Sequence, residues 1–171
     1  YGIRCGNGGR ISVSNTLFRN MEDPVRLYCA SVQLDENEYI NCENEVIAVY
    51  GGRWLYDVTL SGQELPYQLR SSIRSERVLR IQEGCDFQLN RGYISTQIGI
   101  GRILAENSSF SGGGSIWLRN ANQISNLTNC NLEGVSVQCD YGVQALENCE
   151  FHLSGVSCQW GGVATVSNCV F

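Results

Sequence analysis

The chain has 171 residues, 17% of them charged, and a net charge of −5. That length holds one domain with a core of its own, and that charge excludes the basic footprint of a nucleic-acid binder. No apolar run approaches the ~18 residues that span a bilayer, so membrane insertion is not expected.

Glycine is abundant, at 19 residues, and asparagine is common too; there are two Pro, and all 12 cations are Arg. Gly and Asn tolerate left-handed turns, so this composition predicts many tight corners and an all-β chain. A corner motif first appears as Val13-Ser14-Asn15-Thr16-Leu17-Phe18. It is clearest as Leu127-Thr128-Asn129-Cys130-Asn131-Leu132, Leu146-Glu147-Asn148-Cys149-Glu150-Phe151 and Val166-Ser167-Asn168-Cys169-Val170-Phe171. Looser copies are Glu83-Gly84-Cys85-Asp86-Phe87 and Ala105-Glu106-Asn107-Ser108-Ser109-Phe110.

Taking the large apolar residue as marker gives Phe18, Tyr39, Leu60, Phe87, Phe110, Leu132, Phe151 and Phe171. Successive markers are spaced by about 22 residues, a solenoid period. Short stretches such as Ile11-Ser12-Val13, Val32-Gln33-Leu34 and Val135-Ser136-Val137 alternate with strand period, and Val46-Ile47-Ala48-Val49 is continuously apolar. A leucine-rich repeat would need spaced Leu and a helical half; the Gly-rich, β-branched second halves fit a parallel β-helix better. About eight coils are expected, each of three short strands and three corners.

In the second coil Glu36 holds the Asn position, and in the third Asp57 is assigned to it. Asn20 and Asn41 mark a second corner. The step from Leu60 to Phe87 is the longest of the series, so 61–80 reads as an extended coil or loop, with Pro66, Tyr67 and four Arg. Extruded loops are where solenoids place function. The other reading is a solvated loop or short helix with its Arg paired to Glu76 and Glu83.

Inside a coil, the residue after the Asn and the marker both point inward, so small residues stack on small and aromatic on aromatic. The Asn takes positive φ and hydrogen-bonds the rungs above and below. Nine Cys without CxxC spacing, and a single His, do not make a zinc site. Cys85, Cys130, Cys149 and Cys169 share the small inward position. Free buried thiols fit a parallel stack; disulfides between rungs about 4.8 Å apart are the alternative. Outward positions collect Asp35, Glu83, Glu106 and Glu147, then Glu38, Asp86 and Glu150, an acidic edge. It reads as a solvated edge, or as a stripe that could hold Ca²⁺. Beyond such a Ca²⁺ no cofactor is expected.

The Asn-Cys-x-Phe corners and the coil length resemble the right-handed parallel β-helix repeats of the pectate-lyase-like superfamily. Tyr1-Gly2-Ile3-Arg4-Cys5 followed by Gly9-Arg10-Ile11-Ser12-Val13-Ser14-Asn15-Thr16-Leu17-Phe18 is similar to large secreted surface proteins of Bacteroidetes-type bacteria. The resemblance implies a single segment, 1–171, of a longer extracellular or cell-surface protein, and is poor in function because one β-helix hosts lyases, adhesins and tailspikes. A structural or adhesive role, with neighbouring coils or subunits as partners, is expected first. The alternative is glycan or partner binding by Trp54, Tyr56, Tyr67, Arg70, Arg74 and Arg77, through aromatic stacking and guanidinium forks. A polysaccharide lyase or glycosidase is the second alternative. No catalytic residue is assigned: Asp23, Asp35, Asp57, Asp86 and Asp140 form no pair, and His152 has only Glu150 nearby in sequence.

Overall fold

A computed structural model describes residues 1–120 and 122–171. Among the described residues there are 22 strands and no helix. Every strand pairing is parallel, between rungs about 21 residues apart, and the chain winds into a β-solenoid of about eight turns.

One face runs the whole length. It stacks β1 (Ile3–Gly6), β4 (Val25–Tyr28), β7 (Ile47–Tyr50), β10 (Tyr67–Leu69), β13 (Asp86–Gln88), β16 (Ser109–Ser111), β19 (Asn131–Glu133) and β21 (Glu150–His152). From the third coil onward there are two more faces. The second holds β8 (Gly52–Trp54), β11 (Ile73–Ser75), β14 (Tyr93–Thr96) and β17 (Gly114–Leu118). The third holds β9 (Val58–Ser61), β12 (Val78–Gln82), β15 (Arg102–Glu106) and β18 (Asn126–Thr128). Two long strands, β20 (Val135–Glu147) and β22 (Val156–Ser167), bend through both of these faces.

The first two coils are built differently. Among the described residues they place no strand below β8, and instead pair β2 (Arg10–Ser14) with β5 (Ser31–Asp35) and β3 (Leu17–Arg19) with β6 (Glu38–Ile40). This rearrangement corrects the marker column. Phe18 stacks on Tyr39 at 5.3 Å in the separate β3–β6 sheet, and Leu60 pairs with Ile81 on the third face. The column that contains Phe87 runs back through Tyr67, Ile47, Val25 and Ile3. Tyr67 is therefore the true marker of the fourth coil. Residues 61–80 are not an extruded loop; they contribute β10, β11 and most of β12 to a coil of ordinary length.

The corner chemistry follows the predicted pattern. Asn15, Glu36, Asn107, Asn129, Asn148 and Asn168 all have φ between 48° and 52°. Asn129 Nδ2 donates to Asn107 Oδ1 at 3.0 Å, and Asn148 Nδ2 to Asn129 Oδ1 at 3.1 Å. The second corner has its own rung, Asn41 Nδ2 to Asn20 Oδ1 at 3.4 Å. Two assignments shift. Glu83, at φ 42°, sits beside Asn107 where Gly84 was expected, because Glu83 N donates to Glu106 O and Gly84 N to Asn107 O. Asp57 does not hold the Asn position; its Oδ1 accepts from Val78 N at a different corner.

Inward side chains close the core. Phe87, Phe110, Leu132 and Phe151 are buried in one column, and Cys85, Ser108, Cys130 and Cys149 in the next. All nine Cys are free thiols. Burial pushes the Cys85 and Cys139 thiols up to about 12. In the touching Cys130–Cys149 pair, the shared hydrogen bond pushes Cys130 up and holds Cys149 down.

Candidate functional site

The six residues expected to form one binding region do not meet. Trp54 is 1% exposed and Tyr67 fully buried, so neither ring offers a face to a ligand. Both point inward because they lie on core columns: Trp54 is in register with Ser75, and Tyr67 stacks on Phe87 at 5.8 Å. The Tyr67 hydroxyl donates to Ser61 O at 2.9 Å, which supplies the partner a buried phenol needs. Tyr56 is half exposed, its ring packed over Gly8, whose φ of +75° and close approach leave no room for a Cβ.

Arg70 belongs to a different cluster. One Arg70 guanidinium nitrogen donates to Asp23 Oδ1 at 2.7 Å, Arg26 Nε donates to Asp23 Oδ2 at 2.9 Å, and Asn44 Nδ2 donates to Asp23 Oδ1 at 3.1 Å. Asp23 is 1% exposed, so this is a buried, fully partnered carboxylate that ties three coils together. Outside it, Tyr28 and Tyr50 stack at 4.7 Å, with Arg4 over Tyr28 and Arg26 over Tyr50. Ring faces are covered by neighbours, as expected for outward aromatics at in-register positions of a parallel sheet.

Arg74 and Arg77 are both exposed, and Arg74 shares a pocket with Arg53, which no sequence motif singles out. Arg53 and Arg74 are direct partners on the adjacent strands β8 and β11. Arg53 Nε donates to Glu76 Oε1 at 2.6 Å, and this contact, with Arg74 and Arg77 adding to it, holds the Glu76 carboxyl below its ordinary range. Arg53, Arg74 and Glu76 line a shallow pocket of about 260 Å³ that Gln97 and Ile100 of the next coil complete. A signal for it exists in the sequence: Arg53 and Arg74 lie one solenoid period apart, on equivalent strands.

A cavity of about 690 Å³ lies where the two building plans meet. Among the described residues no ladder joins β5 to β9 there. Side chains stand in for it: Thr59 N donates to Ser31 Oγ at 3.3 Å, and Leu34 N to Gln63 Oε1 at 2.6 Å. The Gln63 amide also donates to Gly62 O and Ser61 O, so it caps both open edges. Arg10, Gln33 and Asp35 complete a polar rim.

The acidic edge is interrupted. Glu106 and Glu147 flank Thr128, while Asp86 and Glu150 are separated by Ser109 and Asn131. Glu38 lies on the β3–β6 sheet, away from both rows. Among the described residues no group of three or more His, Cys, Asp or Glu side chains is placed to hold a metal. His152 Nε2 stands 3.5 Å from Glu150 Oε2, both side chains more than half exposed.

No family model, curated protein or solved structure matches this chain.

Proposed function

We propose that the chain is a structural or adhesive β-helix segment of a secreted or cell-surface protein, acting as a stalk, fibre or filament component. Its partners would be further coils or subunits of a larger assembly. The right-handed sense and the kinship with pectate-lyase-like surface proteins, suggested by the Asn-Cys-x-Phe corners, belong to the same reading.

One observation carries it. Among the described residues the columns repeat in register from rung to rung: Asn107, Asn129 and Asn148 are hydrogen-bonded in line at one corner, and Phe87, Phe110, Leu132 and Phe151 follow one another inside it. A stack in which each rung repeats the last is a stiff rod, the form a stalk or fibre needs.

Sedimentation velocity over a rising concentration series tests this. The expected result is concentration-dependent association of the wild-type chain. A wild-type chain that stays monomeric throughout, or that depolymerises pectin or alginate, overturns the reading.

A further inference from the structure

The pairing of Arg53 with Arg74 has no structural rationale. In a parallel sheet, side chains at in-register positions of adjacent strands project the same way, about 4.8 Å apart. Like charges placed directly opposite are destabilising. The in-register positions that follow carry no charge: Ser95, which is buried, then Trp117, Gln138 and Ser157. Here two Arg share the column instead, and Arg77 adds a third at the neighbouring corner.

Only one carboxylate answers them. Among the described residues Arg53 has an ion pair, to Glu76, and Arg74 and Arg77 have none. The nearby Asp57 already accepts the Val78 amide through Oδ1. Glu76 sits low in the patch, its side chain 12% exposed, while the Arg53 side chain is 69% exposed. The carboxylate thus pairs with Arg53 from a less exposed position and leaves Arg74 and Arg77 without an acidic partner among the described residues. Gln97 adds an amide and Ile100, 55% exposed, an apolar wall.

We propose that Arg53, Arg74 and Arg77 form a binding site for a multiply charged tetrahedral oxyanion, the sulfate or phosphate ester group of a larger ligand. Guanidinium forks match such oxygens two at a time, and an anion between Arg53 and Arg74 converts their repulsion into two charge-assisted contacts. The site uses outward residues of β8 and β11, away from the Asn corner, so it stands or falls separately from the assembly reading.

Titrating ¹⁵N-labelled protein with inorganic sulfate, and separately with inorganic phosphate, at constant ionic strength set by chloride, tests this. Saturable shifts are expected at the Arg53, Arg74 and Gln97 amides, and the preferred anion separates the sulfate from the phosphate source. Arg74→Thr should weaken binding about tenfold, the size expected for a lost charge-assisted bond, while raising the melting temperature of the free protein by relieving the repulsion. Glu76→Gln should tighten binding about two- to fivefold by removing a competing carboxylate. Arg19→Ala, on the distant β3–β6 sheet, should change neither. Non-saturating shifts spread over Arg10 and Arg19 as well, or an Arg74→Thr variant that binds like wild type, would sink the proposal. Arg77→Ala provides the second variant should Arg74→Thr fail to fold.

Discussion

Asn129 is held from both sides: its amide nitrogen donates to Asn107 Oδ1 at 3.0 Å, and its Oδ1 accepts from Asn148 Nδ2 at 3.1 Å. The same residue has φ 52°, so one side chain supplies both the turn and the ladder. Asn129→Ala loses two hydrogen bonds and puts a Cβ-bearing residue without a local partner in the left-handed region, at a combined cost of about 1–3 kcal/mol. Asn129→Gly keeps the turn and loses the ladder, and should cost less. Urea midpoints of the two variants check this, and a larger loss for Gly than for Ala would contradict it.

Asp23 is the buried anchor of the first coils. Asp23→Ala leaves the Arg70 guanidinium, its side chain 24% exposed, without its carboxylate and Arg26 with Glu22 alone at 2.7 Å, and should cost about 3 kcal/mol. Arg70→Ala removes one of three partners and should cost about 1–3 kcal/mol. Chemical denaturation measures both. Arg70→Ala should also leave anion binding unchanged, because Arg70 lies on the first face and the Arg53–Arg74 pair on the second.

Tyr67 is a core residue with a satisfied hydroxyl. Tyr67→Phe should cost about 1 kcal/mol, since the Ser61 carbonyl still accepts from Gln63 Nε2 at 3.1 Å. Tyr67→Ala opens a cavity in the aromatic column and should cost about 3–5 kcal/mol. Thermal unfolding separates the two, and a Phe variant as damaged as the Ala variant would mean the hydroxyl matters more than the ring.

Stability should fall in alkali. The Cys85 and Cys139 thiols ionise near 9 in the unfolded chain and at about 12 when buried, so the unfolded state releases protons first. Their contribution is complete below pH 9 and is lost as pH rises from about 9 to 12. Burial pushes the Tyr39 and Tyr67 phenols up too, with the same sign. Melting temperatures at pH 8 and 10.5 give the slope. A Cys85→Ala, Cys139→Ala variant should show a shallower one, and native Cys85 should resist iodoacetamide at pH 8 while exposed Cys158 reacts.

The sequence by itself determined the solenoid: a recurring Asn, a small inward residue and a large apolar one can repeat only where each rung repeats the geometry of the last. It also located most of the Asn corners, including Glu36 in place of Asn, because backbone sign is a local property, but it put Gly84 where Glu83 stands and Asp57 at a corner it does not hold. Which rung stacks on which was decided only in three dimensions. Phe18, Leu60 and Phe87 carry the same local signal, yet they lie on three different sheets, because the first two coils turn at different corners from the rest. That shift also decided which side chains are surface. Trp54 and Tyr67 look like ligand platforms in sequence and face the core because of their register, whereas Arg53, unremarked in sequence, is brought against Arg74 by the same register. A one-residue change of phase inverts every side chain of a strand, and phase is set by the neighbouring rungs rather than by the strand itself.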